Sequence, residues 1–206
     1  MTAIRDWKIF KDNLMTQNPV FVQVLGICST LAVTNVLKNT LVMCLGLIFV
    51  TTLSNLSLSL LRAWIPSRIR MMVEVLIIAS LVIIVDICLK AYYPDISRQL
   101  GPYVGLIITN CIIMGRAEAV ALTSPPRTAL IDGISSGIGY SYVLLLIACC
   151  RELLGTGGIW GVRLLGQSWI NWSIMVMAPG GFFVLAVFIW IVKGWIMRPV
   201  TGKAGA

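Results

Sequence analysis

Six cysteines, at positions 28, 44, 88, 111, 149 and 150, and no histidine are the chemically distinctive features of this chain. No pair has CxxC spacing, which argues against a zinc ribbon or a thioredoxin-type redox site. Without imidazole, this chain can supply neither a histidine ligand to haem nor a histidine-based zinc centre. Thiolate coordination of a tetrahedral iron or an iron–sulfur cluster stays open to cysteine, and it wants four ligands.

Two cysteines differ from the rest in their neighbours. Cys28 lies in LGICSTLAV and Cys111 in IITNCIIMG, so Ser29, Thr30, Thr109 and Asn110 stand ready to hydrogen-bond to sulfur. A thiolate in a low-dielectric region needs such donors, and backbone N–H groups at a broken helix add to them. Taken singly, any of the six reads as a small apolar filler, and Cys44, Cys88, Cys149 and Cys150 stay in that class. Two thiolates do not complete such a site, so if Cys28 and Cys111 are ligands a partner chain must supply the other two.

Charges are few enough to read one by one. Arg116 and Glu118, in NCIIMGRAEA, are two residues apart and do not face each other on a helix. One reading has Arg116 snorkelling to the interface, Glu118 pairing elsewhere, and the two marking where a short helix ends. The other has them fix that segment against the following loop and tune the field at Cys111. Glu74 and Asp86 fall inside an apolar run, where carboxylates are candidates for an ion pathway, but both lie near its ends. No P-loop, HExxH or strand–helix GxGxxG occurs, and the glycines of IDGISSGIG (131–139) suit close helix packing.

The elements that must hold these residues are membrane helices. With 58% hydrophobic and 12% charged residues and a mean hydropathy of +0.93, the chain is far more apolar than a soluble domain. Charge-free windows span 20–36, 39–61, 99–115, 133–150 and 164–192, and 71–89 is broken only by Glu74 and Asp86. These predict an all-α integral membrane protein with six transmembrane helices. The first and fourth windows are at the short limit and contain Gly26, Gly101 and Pro102, so short or broken helices are expected there.

Repetition of one short and two longer segments predicts two inverted three-helix repeats in a single membrane domain. The first half-repeat covers 20–98 and the second 99–197. Cys28 and Cys111 then occupy corresponding positions near the midplane. Residues 1–19 lack a signal peptide's apolar core and read as an interfacial segment anchored by Trp7 and Phe10, with 198–206 a short tail. The stretch GQSWINWS reads as an extramembrane turn with Trp169 and Trp172 at the interface, and Pro179-Gly180-Gly181 as a bend in the last helix. With six spans, eleven of the sixteen basic residues share a side with both termini, which predicts cytoplasmic termini. Scattered among apolar segments, this basic excess orients the chain and does not suggest nucleic acid.

The runs LGICSTLAVTN, IIASLVIIVD, LIITNCIIMGRAEA, LIDGISSGIGY and CRELLGTG, in that order, resemble the NqrDE/RnfAE family. These are membrane subunits of the sodium-translocating NADH:quinone reductase and of the ferredoxin:NAD oxidoreductase. The intact LVIIVD run and the compact loop after CRELLGTG make the quinone-reductase branch the nearer match. An RnfE-type subunit, a secondary transporter and a structural scaffold are the alternatives.

The resemblance implies a multi-pass translocase subunit of the bacterial inner membrane that is not catalytic alone. It pairs with an NqrE-like homologous subunit, within a complex that also has A-, B-, C- and F-type subunits. It further implies that Cys28 and Cys111 hold an intramembrane [2Fe-2S] cluster shared with that partner, relaying electrons from NADH towards ubiquinone with coupled sodium transport. No motif for covalent flavin attachment is present in this chain.

Overall fold

The computed structural model describes residues 20, 25–66, 68–159, 162–163 and 173–196. The expected interfacial segment with Trp7 and Phe10, the turn around Trp169 and Trp172, and the C-terminal tail lie outside them.

The architecture is all-α, as the windows predict. In order come α1 (Ile27–Val33), α2 (Leu37–Leu61), α3 (Arg70–Tyr92), α4 (Pro94–Ile108), α5 (Cys111–Arg116) with a π-helical turn (Ala117–Ala121), and α6 (Pro126–Thr156). A two-residue antiparallel ribbon pairs Gly158–Ile159 with Val162–Arg163, and α7 (Ser173–Val176) and α8 (Ala178–Ile196) follow. Four stretches are long and apolar enough to cross a membrane: Leu37–Leu61, Arg70–Tyr92, Tyr103–Ala121 and Pro126–Thr156. Pro179–Gly194 is a shorter apolar helix, and α1 has only seven residues.

Helices α2 and α6 form the central pair. Gly133 meets the backbone of Thr51 and Thr52, Gly137 meets Ile48, and the Cys44 thiol donates to the Ser141 carbonyl at 3.8 Å. As one index rises by about a turn the other falls by the same amount, so the helices run antiparallel. A Cβ built on Gly133 would lie 3.0 Å from the Thr52 Cα, and one on Gly137 would lie 3.2 Å from the Ile48 Cα. Glycine there lets the backbones approach, as expected for IDGISSGIG, and van der Waals packing replaces the water-driven core of a soluble bundle. Proline starts α6 at Pro126, where its missing N–H costs nothing, and Gly157 ends it with φ of 69°.

Helix α3 buries one narrow stripe, Glu74, Ile78 and Val82, spaced four apart. Its other sides expose Met72, Leu76, Ile83, Ile84 and Ile87, the surface a lipid-facing helix presents.

Two expectations are corrected. The fourth segment is broken as expected, into α4 and the six-residue α5, but a π turn carries the helix on from Arg116 to Ala121. Arg116 closes α5 and Glu118 lies in the π turn, so the pair marks a change of helix type and the helical stretch runs on past it. The Pro179-Gly180-Gly181 run occupies the first turn of α8, so the interruption falls at Met177 instead of inside the last helix.

Candidate functional site

The turn at Gly26 that opens α1 and the break at Thr109–Asn110 meet in the protein interior. At the first, Gly26 has φ of 79°, and a Cβ there would lie 2.8 Å from both Ile112 Cδ1 and Tyr140 Cε2. Only glycine meets both demands, the left-handed backbone and the missing volume. Its carbonyl accepts from Thr30 Oγ1 at 2.8 Å, Ser29 Oγ at 3.2 Å and Tyr140 Oη at 3.0 Å. Ser29 and Thr30, read from the sequence as donors to sulfur, instead satisfy this carbonyl at the start of α1.

At the second interruption Asn110 is extended, with φ of −70° and ψ of 118°, and its side-chain oxygen accepts from the Ile112 N–H at 3.1 Å, capping α5. Its Nδ2 donates to Ser29 Oγ at 3.2 Å. That bond joins the residue after Cys28 to the residue before Cys111. Both cysteines are exposed beside it, while Ser29, Asn110 and Tyr140 beneath them are buried.

The other four cysteines do not share this setting. Cys44 is buried between α2 and α6, Cys149 and Cys150 are half-buried on α6, and exposed Cys88 lines an apolar groove with Phe49 and Tyr92. Among the described residues no three His, Cys, Asp or Glu side chains converge as a metal-holding group. Cys28 and Cys111 could together supply at most two thiolates of a four-ligand site.

The charged residues behave differently from the first reading. Arg116 does not snorkel. It is buried, and its guanidinium binds Asp132 of α6 through both Nε, at 3.0 Å, and Nη2. This ion pair makes the burial tolerable, because an unpaired charge in a low dielectric is very costly. Glu118 pairs with Arg70 at the surface, away from the cysteines. Asp86 pairs with Lys90 one turn on, at 2.6 Å, and also faces outward. Glu74 is buried, and its Oε1 has no hydrogen-bond partner among the described residues.

Three residues of this network escape a reading by spacing. Tyr140 and Asp132 sit among small residues of α6 and reveal their partners only on folding. Arg151, counted as a loop charge, is buried and donates to Leu31 O (3.1 Å), Thr34 Oγ1 (2.6 Å), Met175 O (3.2 Å) and Met177 O (3.1 Å). Beside it, Glu152 accepts from the Leu37 N–H at 2.7 Å, at the start of α2. At the opposite end of the bundle, Ser59 and Arg62 of α2 both donate to the Ser124 carbonyl at 3.0 Å, just before α6. Each central helix therefore secures the connection leading into the other.

Apolar helices meeting beside two exposed cysteines define an integral membrane protein. The chain belongs to the Rnf-Nqr family: the family model described as "Rnf-Nqr subunit, membrane protein" matches residues 6–189. It is 48% identical over 202 residues to the D-type subunit of the Na(+)-translocating NADH-quinone reductase of Photobacterium profundum, covering 96% of this chain and 95% of that one. The D-type subunits of Tolumonas auensis and of a Shewanella species are each 46% identical. They cover 93% and 92% of this chain, and 91% and 93% of their own lengths. These relatives are subunits of an oxidoreductase complex.

Proposed function

We propose that this chain is the D-type membrane subunit of a sodium-translocating NADH:quinone reductase, and that Cys28 and Cys111 supply two of the four thiolates of an intramembrane [2Fe-2S] cluster. The observation that carries the reading is the Asn110–Ser29 hydrogen bond, which places the two cysteines on either side of one contact between broken helices. The names of the relatives support the assignment to the complex. A homologous NqrE-like subunit supplies the other two thiolates, since the half-set here is exposed and needs a facing chain.

When bound, the cluster supplies a one-electron carrier at mid-depth between the NADH side and the quinone-directed carriers. The residues of this chain do the rest: Asn110, Ser29 and Gly26 hold the two ligand-bearing turns together, and the apolar windows exclude water. Placing charge at that depth is costly. We take that cost to be what couples reduction to a shift of the two helical halves and so to sodium movement. The chain sits in the bacterial inner membrane with cytoplasmic termini. Setting the buried Arg116 and Arg151 aside as structural leaves ten basic residues on the terminal side and four opposite, so the bias persists.

The test is Cys28→Ala and Cys111→Ala in the assembled complex, with iron and acid-labile sulfide measured beside quinone reduction. Each variant is expected to lose the membrane cluster and turnover while the other subunits stay bound. Full iron content with full activity in either variant would remove the assignment.

A further inference from the structure

The buried atoms beneath the cysteines form one directional chain. Asn110 Nδ2 donates to Ser29 Oγ, the Ser29 hydroxyl bonds the Tyr140 hydroxyl, and Tyr140 Oη donates to the Gly26 carbonyl. The single Ser29 proton is shared between Tyr140 Oη and the Gly26 carbonyl, which Ser29 Oγ also reaches at 3.2 Å; when it lies toward Tyr140, each hydroxyl accepts once and donates once and each link polarises the next. Tyr140 is the one member that comes from outside the two broken helices. It is fully buried at the middle of α6, eight residues after Asp132 and eleven before Arg151.

Those two flanking residues hold the far ends of the same elements. Asp132 binds Arg116 at the last turn of α5, and Arg151 binds Leu31 and Thr34 at the last turn of α1. At about 1.5 Å per residue, the three attachment points spread over roughly 28 Å of α6. Helix α6 thus grips both cysteine-bearing half-helices at their outer ends and, through Tyr140, at their crossing.

We infer that Tyr140 is a positioning residue that sets the spacing of Cys28 and Cys111 through its hydroxyl. The inference rests on the reading of these cysteines as a ligand pair. Its geometric content, a fixed separation between two thiols, holds whatever they bind. Tyr140→Phe is the informative change because the ring still fills the space beside Gly26 and only the hydroxyl is lost.

Two experiments on the purified complex test it. In the iron-loaded complex, Tyr140→Phe is expected to keep its iron and sulfide, broaden the electron paramagnetic resonance signal of the membrane cluster and shift its midpoint potential. Quinone reduction should fall by about 10-fold, the lower range for losing an outer-shell partner of a metal ligand. Unchanged spectrum, potential and turnover would overturn the inference. In a form with the other four cysteines replaced by alanine and nitroxide labels on Cys28 and Cys111, no iron is required. The distribution of label–label distances should widen in Tyr140→Phe and in Ser29→Ala, and the double variant should match either single because the chain acts as one unit. An equally narrow distribution in all variants overturns the positioning role even if the cysteines do bind iron. A cluster that survives Cys28→Ala would remove the ligand assignment while leaving the distance result to stand alone.

Discussion

Replacing Arg116 by alanine isolates the energetics of a buried ion pair in this bundle. The Arg116 and Asp132 side chains keep only 7% and 2% of their surface exposed, so deleting the cation removes the counter-charge of a carboxylate that solvent cannot reach. Breaking such a pair on one side costs about 3–5 kcal/mol, whereas replacing both partners by apolar groups is often neutral or better. For a chain of this length, roughly 2–4 °C of melting temperature accompanies each kcal/mol, so Arg116→Ala should lower the midpoint by about 6–20 °C. Arg116→Met combined with Asp132→Leu should recover most of that loss. The Arg70–Glu118 pair is an internal control, since its side chains are 36% and 46% exposed and an exposed pair is worth about 0–1 kcal/mol. Glu118→Gln should therefore move the midpoint by no more than a few degrees. Thermal unfolding of the detergent-solubilised protein, followed by circular dichroism and by thiol accessibility, measures all of these variants. A single-variant loss no larger than that of Glu118→Gln, or a double variant as unstable as Arg116→Ala, would refute the reasoning.

Gly26→Ala should cost about 1–2 kcal/mol for the left-handed backbone and a further 1–3 kcal/mol, roughly, for the clash with Ile112 and Tyr140. It should raise hydrogen exchange at α1 and α5 together, and an effect confined to α1 would count against the shared crossing. Arg151→Met removes the donor to the carbonyls of Leu31, Met175 and Met177 and to Thr34 Oγ1, which keeps its own bond to the Thr30 carbonyl, and should cost about 3 kcal/mol or more, by roughly 1–3 kcal/mol per buried acceptor that loses its donor. The readout is loss of protection at the α1 end and around Met177. Unchanged protection there would show that Arg151 is not the clamp.

Several parts of the site were legible in the residues themselves. Six apolar windows follow from the length a helix needs to cross lipid, and two interruptions follow from glycine and polar residues within the shorter ones. Cys28 and Cys111 stood out because they share a position in those windows. The glycines of IDGISSGIG announced close helix packing, and Gly133 and Gly137 provide it.

The charges were misread where burial decides. A positive residue near the end of an apolar run looks the same on paper whether it snorkels, as expected of Arg116, or pairs inward with a carboxylate sixteen residues on. Asp132 gives no sign of its partner, and Arg151 looks like any loop arginine until Leu31, Thr34, Met175 and Met177 surround it.

The sequence by itself determined that the chain crosses lipid, where its helices break, and which two thiols sit at the breaks. Those properties are local: hydropathy, helix propensity and side-chain chemistry act over one or two turns. Only the tertiary structure decided that the two breaks touch, that α6 holds both half-helices at three levels, and that Tyr140 rather than a nearer neighbour lies beneath the cysteines. Contacts such as Ser29 to Tyr140, 111 residues apart, depend on how α2 and α6 pack. Period and spacing along one helix carry no record of what another helix will bring against it.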